Sequence, residues 1–123
     1  MINIPIFALI KADTTARALL ESDSILRVWR FGLAPDDPKP PYVTWQIIGG
    51  VANNNIDSRP VSDHVDIQID VYGTDDDEVG EVAKAVRYAI ELECYLSRYG
   101  FADKDPVTGM PHYNFDVSWI VNR

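Results

Sequence analysis

The sequence predicts an α+β domain. It comprises a mostly antiparallel or mixed sheet of about five strands, one long helix packed on one face and an N-terminal helix, in the order α-β-β-β-α-β-β. Three patterns carry this. Val65, Ile67, Ile69 and Val71 alternate with Asp66, Gln68, Asp70 and Tyr72, so period two puts the apolar side chains on one face and leaves the other wet. A sheet with one wet face suits antiparallel or mixed pairing rather than a parallel sheet buried on both sides. Beyond Gly73 the period becomes helical, with Val79, Val82, Ala83, Val86 and Ile90 in one stripe. Near the end, Phe115, Val117, Trp119 and Val121 alternate with Asp116, Ser118 and Ile120.

The elements follow in chain order. The first segment reads as a helix in one or two pieces: Pro5 suits a first turn, where its missing N–H costs nothing, and Asp13 or Thr14 caps a second piece carrying Ala16, Leu19 and Leu20. Residues 24–31 read as a strand, with Leu26 and Val28 opposite Ile25, Trp29 and Phe31. The stretch GLAPDDPKPP, with Pro35, Pro38, Pro40 and Pro41, is an exposed loop, since proline neither donates to a ladder nor continues a helix. Residues 42–48 form the next strand, ended by Gly49-Gly50. A long polar loop, 51–62, precedes the alternating strand. Thr74 caps the long helix, and Asp75, Asp76, Asp77 and Glu78 complement the positive end of its dipole. Residues 96–102 and 113–121 make a hairpin, joined by the loop DKDPVTGMP.

Length and composition bound the function. A chain of 123 residues is read as a single domain, 1–123, large enough to hold a core without a staple. The lone Cys94 excludes an internal disulfide and reads as a small packed hydrophobe. No apolar run reaches the ~18 residues of a membrane helix. The N-terminus reads as a packed helix rather than a leader, because no basic residue precedes the apolar run and Lys11 and Asp13 break it early. A net charge of −8 argues against nonspecific nucleic-acid binding. It is compatible with DNA passing an acidic wall without sticking.

No catalytic constellation emerges. The carboxylates of 75–78 lack calcium-loop spacing and are explained by the helix start. His64, Asp66 and Asp70 share one strand face. Positions two apart lie ~7 Å from each other and positions four apart ~13 Å, so His64 reaches Asp66 but Asp66 does not reach Asp70. A hydrolase built on Asp66 and His64 is the enzymatic alternative. His64 and His112 sit in no zinc pattern, the serines lack a GxSxG context, and Gly49-Gly50 is not a phosphate loop. No cofactor and no metal are expected. Trp29, Trp45 and Trp119 are read as core. The candidate contact surface is the polar loop, with Asn53, Asn54, Asn55, Asp57 and Arg59, together with the strand-face residues Asp66 and Asp70. Such loops carry recognition because a rigid sheet positions them.

Taken together, PYVTWQIIGG, the asparagine-rich loop, DHVDIQIDVYG, the acidic turn and EVAKAVRYAIE resemble the tail-completion (tail-terminator) proteins of long-tailed bacteriophages and prophages. The match is densest over residues 40–91. The resemblance implies a small α+β subunit without enzymatic activity or cofactor. Such subunits assemble on themselves as a ring, commonly of six, at the head-proximal end of the tail tube. The ring stops tube polymerisation and offers a surface to the head connector. It also implies residence in the virion tail, host cytoplasm during assembly, no membrane, and DNA passing without specific binding. Asp66, Asp70, Asp75, Asp76, Asp77 and Asp103 are the candidates for lining the lumen. A head–tail connector or adaptor component, or a small bacterial α+β binding module, is the alternative.

Overall fold

A computed structural model of the chain describes residues 4–100 and 102–123. The N-terminal segment forms two short helices, α1 (Ile6–Ala12) and α2 (Thr14–Leu20). Asp13 divides them. Its backbone is extended, and its carboxylate accepts the Ala16 N–H at 2.9 Å, which caps α2. A small hairpin follows, β1 (Glu21–Ser22) and β2 (Ile25–Leu26), turned by Asp23 and Ser24, both at positive φ. Two such residues in succession match the right-handed twist of the flanking strands.

The strand expected over 24–31 is interrupted at Arg27, which separates β2 from β3 (Val28–Arg30). Arg27 is buried among neutral acceptors. Its Nε donates to the Pro41 carbonyl at 2.8 Å, and its other nitrogens donate to the Ser22 hydroxyl and the Leu19 carbonyl. One guanidinium therefore joins α2, the small hairpin and the end of the proline loop. β3 pairs in parallel with β4 (Tyr42–Ala52). Parallel neighbours need a returning connection, and the proline-containing segment 31–41 supplies it.

The remaining elements are β5 (Ser62–Tyr72), α3 (Asp76–Ile90), β6 (Tyr95–Tyr99), β7 (Asp103–Lys104) and β8 (Pro111–Asn122). The main sheet runs β3-β4-β5-β8-β6, with β7 paired to β8, and only the β3–β4 pair is parallel. The expected mixed α+β sheet is present. The expected C-terminal hairpin is β6 with β8; β7 lies in the connection that reads as pure loop, and Phe101, within the expected first strand, lies outside the described residues.

The apolar face of the sheet takes Val43, Trp45 and Ile47 from β4, the four alternating residues of β5, and Phe115, Val117 and Trp119 from β8. Three helices cover this face: the expected long helix and the N-terminal helix in two pieces. α1 and α2 pack along the flank of α3 and add Ile6, Ile10, Ala16 and Leu20 to the same core, which also buries Ala85 beside the predicted stripe. The helix start also differs by one position. Asp75, not Thr74, is the N-cap and accepts the Glu78 N–H at 2.8 Å, while Thr74 donates its N–H and hydroxyl back to the Glu78 carboxylate at 2.9 and 3.0 Å. This is a variant of the capping box, in which the first-turn acid accepts from Thr74, the residue before the N-cap, rather than from the N-cap N–H itself.

Gly49-Gly50 does not end β4. The register with β5 shifts between Ile47 and Gly49, a bulge at Ile48, and pairing resumes to Ala52 opposite Asp63. The polar loop therefore shrinks from 51–62 to 53–61 and becomes the tip of a long hairpin. Gly50 is required by close approach, since a Cβ there would lie 2.6 Å from the His64 carbonyl oxygen, whereas one at Gly49 would find only an Asp66 carboxylate oxygen at 3.9 Å. Gly50→Ala is expected to cost about 1–3 kcal/mol of stability by forcing a backbone shift. Gly49→Ala should cost clearly less. Urea unfolding of the two variants checks this, and equal midpoints would contradict the close approach.

Candidate functional site

The second face of the sheet carries no helix, and its side chains satisfy one another in rows. At one end, Trp29, Tyr42, Tyr72 and His112 form an aromatic row across four strands. The ring centroids are 6.2, 4.7 and 4.5 Å apart, and the last two contacts are stacked. This row removes Trp29 from the expected core, whereas Trp45 and Trp119 do lie in it. Tyr42 is in register with Tyr72 and Tyr72 with His112, so these three rings meet directly across the ladder, while Trp29, in register with Thr44, reaches Tyr42 diagonally.

In the next row His112 Nε2 lies 2.8 Å from Asp70 Oδ1, and the Gln68 amide donates to the same carboxylate at 3.1 Å. Asp70 is only 5% exposed, so this candidate contact residue is enclosed in its own subunit by its neighbours. Farther along, Asp66 accepts from Ser118 Oγ at 3.0 Å and lies 3.2 Å from His64 Nε2. The expected approach of His64 to Asp66 is therefore present, on an open strand face where both side chains are more than a third exposed. Arg98 bonds Asp116 at 2.8 Å and Asn114 at 3.1 Å, while the Arg123–Asp63 pair, at 3.0 Å, sits at the strand ends on the opposite side, in line with Val65. The acidic residues of this face are partnered one by one rather than converging on a common point.

The β4–β5 hairpin extends beyond this face. Asn53 donates its backbone N–H to the Ser62 carbonyl at 3.1 Å and its side-chain amide to Ser62 Oγ at 2.9 Å; Asn55 donates to the Arg59 carbonyl at 3.1 Å. These two asparagines thus shape the tip. Asn54, Asp57 and Arg59 are exposed, and Ile56 between them is fully exposed. Ile56 was not singled out in the sequence, although an isolated isoleucine in a polar run is the kind of signal that marks it.

A cleft of about 280 Å³ lies between α3 and the β6–β8 side of the sheet. Its floor is Val79, Ala83, Tyr113 and Phe115, and Lys84 and Arg87 stand over it. Local spacing does not reveal it, because Tyr99, which also lines it, comes from β6, a strand that follows the helix.

The titrating groups fit a binding surface better than a reaction centre. Burial, helped by Asp70, pushes the Tyr72 phenol up to about 12, so it stays neutral as a stacking platform. Burial pushes the Cys94 thiol up to about 11, and its Sγ donates to the Ile90 carbonyl at 3.3 Å. A thiol so placed is poorly reactive. Among the described residues no group of three or more His, Cys, Asp or Glu is placed to hold a metal, and no helix is long and apolar enough to cross a membrane.

An α+β subunit with a helix-free sheet face and a projecting hairpin presents surfaces rather than a converging set of reactive side chains. The chain belongs to the family described as tail completion protein gp17, whose profile matches residues 4–122. It is accordingly a structural protein of a phage-type tail. Its fold is similar to that of a chain from the virion of a native gene transfer agent particle, with a TM-score of 0.70 and 16% identity over 96% of this chain and 92% of that one. At that identity the likeness is one of fold. No curated protein sequence matches it.

The His112–Asp70 hydrogen bond raises the His112 pKa above its ordinary 6.5; burial opposes this, and the nearby charges of Asp70, Asp103 and Asp105 assist it. A group raised on folding stabilises the fold fully below its unfolded pKa, and that contribution is lost as pH climbs through the folded value. Stability should therefore fall on going from about pH 6 towards pH 8, and His112→Gln should flatten that slope. Thermal unfolding across this range checks the slope, and the His112 ring proton resonance checks the midpoint. A midpoint below 6.5 would contradict the arrangement.

Proposed function

We propose that the chain assembles on itself as a ring, of six subunits, at the head-proximal end of the tail tube, where it ends tube polymerisation and presents a surface to the head connector. The observation that carries this reading is the β4–β5 hairpin. Its tip is braced internally by Asn53 and Asn55, yet the exposed side chains of Ile56, Asp57 and Arg59 have no hydrogen bond or ion pair among the described residues. An ordered projection of this kind is suited to a neighbour, and unlike surfaces that meet head to tail close into rings when the rotation per subunit divides a full turn. Family membership supports the location in the virion tail, with the host cytoplasm as the place of assembly. The net charge of −8 supports a lumen that DNA traverses without specific binding. On this reading the protein acts without turnover of a substrate, and its partners are its own copies, the tail tube protein and the head–tail connector protein.

Light scattering across a concentration series, with negative-stain imaging of the same samples, tests the reading. The expected result is a concentration-dependent ring. Replacing residues 54–58 by a glycine-serine segment of equal length should weaken association at least tenfold, about 1.4 kcal/mol per interface, while leaving thermal unfolding of the subunit nearly unchanged. A chain that stays monomeric at every concentration and salt, and also fails to bind tail tubes, would overturn it.

A further inference from the structure

The hairpin tip and the α3 cleft have complementary chemistry and lie at opposite ends of the molecule. At the tip, a fully exposed Ile56 is followed by Asp57 and then Arg59. The cleft has an apolar floor of Val79, Ala83, Tyr113 and Phe115 beneath Lys84 and Arg87, with Asp76 on the rim. Lys84 is exposed and has no carboxylate partner among the described residues, and Arg87 has only Glu91, at 3.8 Å. Four arginines of this acidic chain are engaged elsewhere: Arg17 with Glu21, Arg98 with Asp116, Arg123 with Asp63, and Arg27 in its buried clamp. The cleft is thus a place where positive charge remains available above an apolar floor.

The two features cannot meet within one subunit. β5 begins at Ser62 beside the tip and ends at Tyr72, close to the start of α3; its length is about 35 Å at the usual rise per residue. A contact between them must join two copies, and it joins unlike surfaces, which is the geometry a ring requires. We propose that the β4–β5 tip of one subunit seats in the α3 cleft of the next. Ile56 rests on the apolar floor, Asp57 pairs with Lys84 and Arg87, and Arg59 is left facing Asp76. Burial of Ile56 supplies attraction, and the charge pattern fixes which way the tip enters. This inference rests on the self-association proposed above and names the surfaces that carry it.

A charge exchange in the full-length chain tests it, with assembly followed by sedimentation velocity and folding by circular dichroism. Asp57→Lys alone and Lys84→Asp with Arg87→Asp should each weaken assembly at least tenfold. Mixing or combining the two sets should restore it to within about threefold, because the opposed charges are paired again in reversed order. Ile56→Ser should weaken assembly without rescue by any charge change. If the cleft variant misfolds, Asp57→Cys with Lys84→Cys replaces it, and oxidation should give covalently linked oligomers. Wild-type rings with normal assembly of all variants, or charge effects that simply add, would overturn the contact while leaving the ring reading intact. Variants that assemble normally but fail to bind tail tubes would assign the tip or the cleft to the tube protein, which also overturns it. A wild-type chain that never assembles would remove both readings together.

Discussion

The structure depends on the burial of one face of β5. Val65, Ile67, Ile69 and Val71 are wholly enclosed between β4, β8 and the helical layer. Side chains of this type contribute roughly 1.5–3 kcal/mol each on full burial. The ion pairs of the other face are partly exposed, and such pairs typically contribute about 0–1 kcal/mol. The apolar side therefore fixes the fold, and the polar side is left to decide what the fold meets. Three helices on one side of a single sheet leave the reverse side to be satisfied by side chains alone.

That reverse side is ordered by contacts among its own side chains. The aromatic row of Trp29, Tyr42, Tyr72 and His112 crosses one end, and the carboxylates of Asp66, Asp70 and Asp116 each bond a different neighbour. Acid–base work needs groups that point at one place; here they point at each other. What the subunit offers outward comes instead from the hairpin tip, where Ile56 is fully exposed, and from the cleft beside α3, where Lys84 has no carboxylate partner among the described residues.

Much of this was legible in the chain itself. The alternation in β5 and β8 and the stripe of α3 each report a burial pattern that local spacing fixes, and residue type narrows the α2 cap to Asp13 or Thr14, of which Asp13 is the one used. The tail-completion family was equally legible from the order of its segments. What escaped depends on contacts between distant residues. Gly50 reads as a strand end, but its role is set by the His64 carbonyl across the ladder. Thr74 and Asp75 are both good caps, and the reach of Glu78 decides between them. The burial of Asp70 follows from His112, forty-two positions away. Asn53 and Asn55 stood out as contact candidates for their polarity, yet that polarity is largely spent within the turn, and the unremarked Ile56 is the residue left pointing out.

The placement of β8 has a consequence for biosynthesis. It is inserted between β5 and β6, so the sheet's interior is completed by a segment that leaves the ribosome after both of its neighbours. The β4–β5 hairpin forms early and locally, but the face it must bury has no wall on its β8 side until residue 122 has emerged. Pairing over such sequence separations carries a loop-closure cost that slows folding. A nascent subunit is thereby kept open, and short of a finished cleft wall at Tyr113 and Phe115, until translation has passed the last strand of the sheet.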